Sequence, residues 1–242
     1  MCTVSAVPVP GGARLVCNRD EQRSRPAAVP PRWFSLAERH AVYPVDPISG
    51  GTWIAANDAG LVLILLNRSA TSSRGRLAPP RSRGTIVPAL IGHDRLVAAF
   101  AAASELRPNH FDPFQLVGVH GTSVAVATSD GHRLMKTFMR LEQPLMWTSS
   151  SLGDALVERP RRGLFDYLVA DASVAERPAA QMRFHRHRWA RSPELSVLMS
   201  RSDARTVSRT VIDSYRDRVE MRYEALEGQI AVATVPPLYG AA

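Results

Sequence analysis

The sequence predicts an α+β protein in which two β-sheets are packed together between layers of helices. Short segments rich in β-branched and apolar residues occur towards both ends of the chain, and helical patterns occupy positions between them. A sheet must bury its apolar faces against another layer, so strands at both ends with helices between them favour this arrangement. The length of 242 residues is enough for a sizeable core, and we expect one domain over residues 1–242.

The first strands of the chain have clear signals. Residues 2–7 form a run of apolar and β-branched residues, and a turn signal containing Pro10-Gly11-Gly12 leads into the returning segment 14–17. Residues 61–66 are an unbroken apolar run, which is typical of a strand buried on both faces. We therefore expect a hairpin at the start of the chain and a central strand at 61–66.

The middle of the chain contains the predicted helices. Residues 94–106 place Leu96, Phe100 and Ala103 on one face, and residues 152–169 form a second helical region that we expect to be interrupted near Pro160. The Pro- and Arg-rich segment 18–47 and the segments 72–83 and 172–178 are expected to be loops. Further strands are expected at 115–119, 124–128, 195–200, 207–213, 219–223 and 229–235.

The charge pattern argues against a nucleic-acid partner. The formal net charge is +8, but Lys136 is the only lysine and the arginines are scattered from Arg14 to Arg222 instead of forming a stripe on one helix. The sequence contains no run of about 18 apolar residues, so it predicts no membrane span. The first residues also lack the pattern of a secretory signal. Cys2 and Cys17 are too few for a disulfide framework. We therefore expect a cytoplasmic protein with free thiols, without a transmembrane segment.

Several short polar and glycine-containing blocks occur along the chain. They are Cys2, Cys17-Asn18-Arg19-Asp20-Glu21 followed by Ser24-Arg25-Pro26, Gly50-Gly51-Thr52-Trp53-Ile54, the strand ending at Asn67, Ser73-Arg74-Gly75, and Ala204-Arg205-Thr206. In their order and spacing these blocks resemble the NRDE family, also called the transport and Golgi organisation family, firmly over the first 80 residues and weakly over the remainder.

The resemblance implies a fold and a site. The fold is a four-layer αββα sandwich of the N-terminal-nucleophile hydrolase type, similar to conjugated-bile-salt and penicillin amidases whose mature chain starts with cysteine. It implies that Cys2 is the nucleophile, that Arg19 and Asp20 flank it, that Asn67 helps to hold the oxyanion, and that Arg205 is a candidate second arginine. The sequence departs from the family pattern at 148–151, which reads Thr-Ser-Ser-Ser where the family has a Ser-Asn pair.

The chemistry of these residue types agrees with that assignment. Removal of Met1 would give Cys2 a free α-amine, which can act as a base for the thiol of the same residue. A guanidinium at Arg19 would lower the thiol pKa, Asp20 could orient the ammonium, and an Asn67 N–H could stabilise an oxyanion. Structural interpretations also exist: Arg19 and Asp20 as a hairpin ion pair, and Asn67 as a residue that ends a strand.

Other polar residues give weaker signals. Cys17 is expected to be a small buried apolar residue. His185 and His187 have the spacing of two ligands on one face of a strand, but neighbouring arginines repel cations, so we expect a solvated basic strand or loop and no metal site. The alternative is that the pair faces an anionic ligand such as a phosphate or a haem propionate.

Two functions remain open from the sequence. The first is a cysteine amidohydrolase that acts on a non-peptide, small-molecule amide through a thioester and needs no cofactor. The second is a binding or trafficking protein that holds a hydrophobic, partly anionic ligand, such as haem or an acyl chain, in the same cleft. Hydrolysis requires removal of Met1, whereas binding does not.

Overall fold

The computed structural model describes residues 2–36, 39–69, 80–215, 218–228 and 230–235. The strands in chain order are β1 Cys2–Val9, β2 Gly12–Gln22, β3 Val29–Leu36, β4 Arg39–Val45, β5 Ile54–Asn57, β6 Leu61–Asn67, β7 Phe114–His120, β8 Ser123–Ser129, β9 Leu134–Arg140, β10 Leu145–Thr148, β11 Ala204–Tyr215, β12 Val219–Ala225 and β13 Ile230–Val235. The helices are α1 Ile86–Leu90, α2 Leu96–Ala102, α3 Asp154–Phe165 and α4 Arg177–Arg186. A π-helical turn at Asp166–Ala170 continues α3, and 3₁₀ turns lie at Arg83–Thr85, Ala103–Glu105 and Pro108–His110.

The described strands form two antiparallel sheets. Sheet A has the spatial order β10-β1-β2-β11-β12-β13, and sheet B has the order β3-β4-β5-β6-β7-β8-β9. Cys2 begins β1, which lies between β10 and β2. The first residue of the predicted site is therefore held in the interior of a sheet.

The hairpin of β1 and β2 is closed by Pro10 and Gly11. Val9 pairs with Gly12, and Gly11 has a φ of 78°, which suits the third position of a type II turn after a proline. This register places Cys2 directly opposite Arg19. The turn chemistry predicted from the sequence thus decides which side chain of β2 faces the first residue of β1.

The two sheets face each other across a shared core. Val4 and Leu15 of sheet A and Val62 and Ile64 of sheet B belong to one buried cluster. Leu61, Leu63 and Leu65 point the other way and pack with α1 and α2, which explains why the whole of 61–66 is apolar. On the far side of sheet A, Phe165 and Phe184 of α3 and α4 pack against Val7 and Met146. The order of layers is therefore helices, sheet A, sheet B, helices, as the sequence predicts.

Several predicted segments differ from the structure. The segment 18–47 is not a loop, since it contains the end of β2 and all of β3 and β4. The prolines at 30 and 31 are compatible with β3 because it lies at the edge of sheet B, where an unpaired side needs no backbone donor. Residues 195–200 form no strand, and only Ser200 makes an isolated bridge with Arg205. Ser73-Arg74-Gly75 lies outside the described residues.

The helices of the second half also differ from expectation. Pro160 lies inside α3 without interrupting it. His185 is not on a solvated strand: it is fully buried on α4, where its Nε2 lies 2.7 Å from Ser5 Oγ. Aromatic and small residues near His185 form the buried face of α4. The arginines between them make this segment resemble a solvated one in the sequence.

Within the described residues, no helix is long and apolar enough to cross a membrane.

Candidate active site

A cavity of about 390 Å³ lies where the ends of β1, β2 and β6 meet, and we call it the Cys2 cavity. Three of the residues predicted from the sequence line it, namely Cys2, Arg19 and Asn67. The other lining residues are Glu21, Gln22, Arg25, Asp46, Ser49, Gly51, Thr52, Trp53, Leu65, Pro80, Arg81, Ser82, Arg83, Gly84 and Asp112. The fold therefore brings residues far apart in the chain to one concave surface.

Arg19 is held firmly beside Cys2. Its Nη2 donates to Asp46 Oδ2 at 2.7 Å and to Glu21 Oε2 at 3.2 Å, and its guanidinium stacks over the Trp53 ring at 4.2 Å. Only 5% of Arg19 is exposed. A guanidinium fixed by two carboxylates and an aromatic face presents its charge in one place.

Asp46 is the centre of this network, although no local sequence pattern indicates its role. It accepts from Arg19 and also from Arg25 Nε and Nη2 at 2.8 and 2.9 Å, and its Oδ1 accepts from the backbone N–H of Ser49 at 3.0 Å. Burial alone would raise the pKa of Asp46, but the hydrogen bonds from Arg25 and Ser49 and the charge of Arg19 hold this pKa well below its usual range. Asp46 is therefore a carboxylate that anchors both arginines.

The Cys2 thiol has an unexpected neighbour in Cys17. On the β1–β2 hairpin Cys17 pairs with Val4, so it lies diagonally from Cys2 on the same face, and both cysteines are buried. A hydrogen bond from the Cys17 thiol lowers the pKa of Cys2, burial opposes this, and the Arg19 charge lowers the pKa further. The hydrogen bond to Cys2 and burial raise the pKa of Cys17 well above its ordinary value.

Arg19 lowers the pKa of Cys2, as the sequence predicts, and the hydrogen bond from Cys17 lowers this pKa by a larger amount. Cys17 is buried, as predicted from the sequence. Its contact with Cys2 follows from the diagonal register of the hairpin, a signal that strand pairing in the sequence could have provided.

Asn67 ends β6 and is half-buried. Its backbone pairs with Phe114, but within the described part of the chain its side-chain amide has no hydrogen-bond partner. A free amide N–H at the wall of the Cys2 cavity is available to an oxygen of a bound molecule.

Asp20 lies behind the cavity, not in its lining. Side chains alternate along β2, and the Asp20 carboxylate accepts from Thr206 Oγ1 at 2.7 Å on the side where Arg161 lies. Burial raises the pKa of Asp20, and the charge of Arg161 and the hydrogen bond from Thr206 offset part of this rise. The negative charge of Asp20 in turn raises the pKa of Cys2, so it acts on that residue from behind the sheet.

Arg161 and Ser149 complete the surroundings of the first strand. Arg161 Nη1 donates to Thr3 Oγ1 and Thr148 Oγ1 at 2.7 and 2.8 Å, which joins β1 to β10. Ser149 accepts from the backbone nitrogen of Cys2 at 3.2 Å through its Oγ, and its own backbone N–H donates to the Cys2 carbonyl at 3.0 Å. The Thr-Ser-Ser-Ser segment that departs from the family pattern therefore meets the backbone of Cys2.

Arg205 is separate from these residues. It lies on β11, pairs with Glu227, and lines a neighbouring cavity instead of the Cys2 cavity. Among the described residues, no group of three or more His, Cys, Asp or Glu side chains could hold a metal ion.

Solved structures show where this arrangement belongs. The chain is similar to penicillin V acylase from Agrobacterium tumefaciens, with 12% identity, a TM-score of 0.58, and coverage of 98% of this chain and 86% of that one. It is similar to the N-acylethanolamine-hydrolyzing acid amidase orthologue of Caenorhabditis elegans, with 11% identity, a TM-score of 0.61, and coverage of 90% and 98%. It is also similar to a mutant of conjugated bile acid hydrolase from Clostridium perfringens, with 12% identity, a TM-score of 0.53, and coverage of 96% of this chain and 92% of that one.

The layers and these similarities define an α+β sandwich of the N-terminal-nucleophile hydrolase type. The sequence profile of the Transport and Golgi organisation 2 family matches residues 14–189, and the chain belongs to that family, as the NRDE resemblance predicts. No curated protein sequence matches the chain.

Proposed function

We propose that the protein is a cysteine amidohydrolase that cleaves a non-peptide amide with Cys2 as its N-terminal nucleophile. The observation that supports this most strongly is the position of Cys2, which lines a cavity together with a fixed guanidinium and with the Asn67 amide, which has no side-chain partner among the described residues. The solved structures most relevant to it are an acylase, an amidase and a hydrolase by name.

The reaction starts from a chain without Met1. The nitrogen of Cys2 is then a primary amine, and Ser149 Oγ, 3.2 Å from that nitrogen, accepts one of its hydrogens and orients it. This amine takes the thiol proton, and the hydrogen bond from Cys17 and the charge of Arg19 favour the resulting thiolate.

The thiolate attacks the carbonyl carbon and forms a C–S bond while the carbonyl π electrons move to oxygen. Asn67 donates its side-chain N–H to this oxyanion, a contribution that is worth about 3–4 kcal/mol where such a donor has been removed from other enzymes. When the C=O bond re-forms, the C–N bond breaks, and the departing amine receives the proton held by the Cys2 ammonium. Water, deprotonated by the Cys2 amine, then attacks the thioester and releases the carboxylic acid and the thiolate.

Asp20 acts from the face of sheet A that is opposite the cavity. Its carboxylate lies near the start of β1, and its negative charge attracts the ammonium form of the Cys2 amine. Arg205 has no step in this scheme, because it does not line the Cys2 cavity.

The first experiment compares the native protein with Cys2→Ala. Purified protein is incubated with short N-acyl amides, and the acid and amine products are separated by chromatography. The native protein should release both products, and Cys2→Ala should release neither while retaining its melting temperature. Equal release by both proteins would contradict the assignment of Cys2.

The same samples test the ligand-binding alternative. If native protein retains Met1, cleaves no amide, and binds haem or an acyl ligand equally well with and without Cys2→Ala, then the cleft is a carrier site. In the proposed scheme Met1 is absent from the active preparation.

A further inference from the structure

A second cavity, of about 320 Å³, adjoins the Cys2 cavity, and we call it the arginine cavity. Both cavities are lined by Arg19, Glu21 and Arg25, so the two cavities are adjacent. The arginine cavity is lined by five arginines, Arg19, Arg23, Arg25, Arg188 and Arg205.

The charges of this lining do not balance. Five arginines face two glutamates. The Arg23 side chain donates to the carbonyl oxygen of Arg201 and to Ser200 Oγ, and the described residues provide Arg23 and Arg188 with no carboxylate partner. Among the described residues, two guanidinium groups of the lining therefore have no counter-ion, which creates a positive potential inside a concave surface.

The floor of the cavity is rigid and partly apolar. Met199 and Tyr223 are buried, with 4% and 2% of their surface exposed. Tyr223 lies on β12 of sheet A, and Met199 accepts a backbone hydrogen bond from Thr206. Thr206 is fixed by its hydrogen bonds to Asp20 and to the backbone of Met199. These buried and hydrogen-bonded residues distinguish the arginine cavity from a row of solvated arginines on a flat surface.

We propose that the amide cleaved at Cys2 carries an anionic group, a carboxylate or a phosphate, that the arginine cavity holds. This inference rests on the proposed hydrolase function and names its class of substrate. Guanidinium groups bind both kinds of oxyanion in a bidentate manner. Since Arg19 lines both cavities, the anionic group lies a short linker away from the amide bond. Arg205, which has no place in the chemical step, becomes a residue that selects the substrate.

The test uses three probes with the same acyl amide. N-decanoylglycine carries a carboxylate, N-decanoyl-O-phosphoethanolamine carries a phosphate, and N-decanoylethanolamine is neutral. Binding is measured by calorimetry on Cys2→Ala protein, so that cleavage does not interfere. At least one anionic probe should bind about tenfold or more tightly than the neutral probe, because a hydrogen bond to a charged group contributes about 1.5–3 kcal/mol. The anion that is preferred identifies the natural group.

Two double variants on the Cys2→Ala background localise the effect. Arg188→Gln with Arg205→Gln removes two charges from the arginine cavity and should abolish most of the preference for the anionic probe, with little change for the neutral one. Arg191→Gln with Arg222→Gln is the matched control. Arg191 is exposed, like Arg188. Arg222 pairs with one glutamate, Glu220, as Arg205 pairs with Glu227. Neither Arg191 nor Arg222 lines the arginine cavity.

The outcomes separate the site from the reaction. Equal affinity for all three probes, or an equal loss in both double variants, overturns the anion site. Cleavage is measured separately with Cys2 present: if the protein cleaves only the neutral probe, the inference is wrong and the proposed hydrolase function stands. If the anionic probe binds through the arginine cavity and no probe is cleaved, the anion site stands and the proposed reaction is wrong.

Discussion

Cys2 and Cys17 form a pair in which the second thiol tunes the first. The sequence points to Arg19 as the group that favours the thiolate, whereas in the structure the hydrogen bond from Cys17 lowers the pKa of Cys2 more than Arg19 does. Cys17 is therefore a hydrogen-bond donor to the Cys2 thiol, the nucleophile of the proposed reaction.

Replacing Cys17 tests this directly. Cys17→Ala should raise the pH midpoint of Cys2 alkylation, because it removes a hydrogen bond that lowers the pKa of Cys2. Cys17→Ser keeps a donor and should stay near the native midpoint. The rate of iodoacetamide reaction is followed across pH, with peptide mapping of Cys2. A common midpoint for both variants would show that Cys17 does not tune Cys2.

Asp46 gives a prediction on stability. Its pKa is held below the unfolded value of about 3.9, so its contribution is fully present above that pH and is lost as the pH falls through it towards the lower folded pKa. Asp46→Asn should cost about 3 kcal/mol at neutral pH because it removes the buried carboxylate that both guanidinium groups share and leaves them with Glu21 alone. It should also show a smaller further loss than the native protein when the pH falls below about 4.

Urea unfolding at several pH values measures both effects. The control is Asp203→Asn, since the Asp203 side chain is exposed and pairs only at the surface with Arg201, and such changes are usually within about 0.5 kcal/mol. If Asp46→Asn behaves like this control, the arginine network does not stabilise the site.

At the scale of elements, the contact between α2 and β7 depends on Gly118. A Cβ at Gly118 would lie 2.5 Å from Leu96 Cδ1 and 2.5 Å from Phe100 Cε2, closer than any real contact. Gly118→Ala should therefore destabilise the protein by about 1–3 kcal/mol through overpacking.

Gly163 provides the comparison for this prediction. It lies within α3, and a Cβ there would meet nothing within 4 Å, so Gly163→Ala should stabilise the protein by up to about 1 kcal/mol. Thermal unfolding of both variants measures the difference. Two variants with the same melting temperature would contradict the packing of α2 on sheet B.

The elements also show what the sequence can and cannot predict. The hairpin of β1 and β2 and the strand β6 were predictable because turn chemistry and an unbroken apolar run are local signals. The pair β3 and β4 was not, because prolines and arginines resemble a loop while the edge of a sheet tolerates both. The buried face of α4 was hidden in the same way by arginines around Phe184 and His185.

For the whole molecule, the fold was predictable and the chemistry of the site only in part. Cys2, Arg19 and Asn67 were proposed together from the resemblance of their short motifs to the NRDE family; the structure places all three around one cavity, and their roles stay a prediction. Asp46, Arg25 and Ser149 were missed because their contacts depend on tertiary packing between segments with no local pattern. The position of Asp20 behind the cavity, and of Arg205 beside another cavity, depends on strand alternation and on the pairing of β11 with β2.

The proposed acyl-enzyme can be detected by mass spectrometry of the intact protein after brief exposure to N-decanoylglycine and rapid acid quenching. We expect a chain that lacks Met1 and carries one decanoyl group, located on Cys2 by peptide mapping and lost after treatment with hydroxylamine, as a thioester requires. Cys2→Ala should carry none. A native chain that retains Met1, or a decanoyl group attached at a residue other than Cys2, would show that Cys2 is not the N-terminal nucleophile.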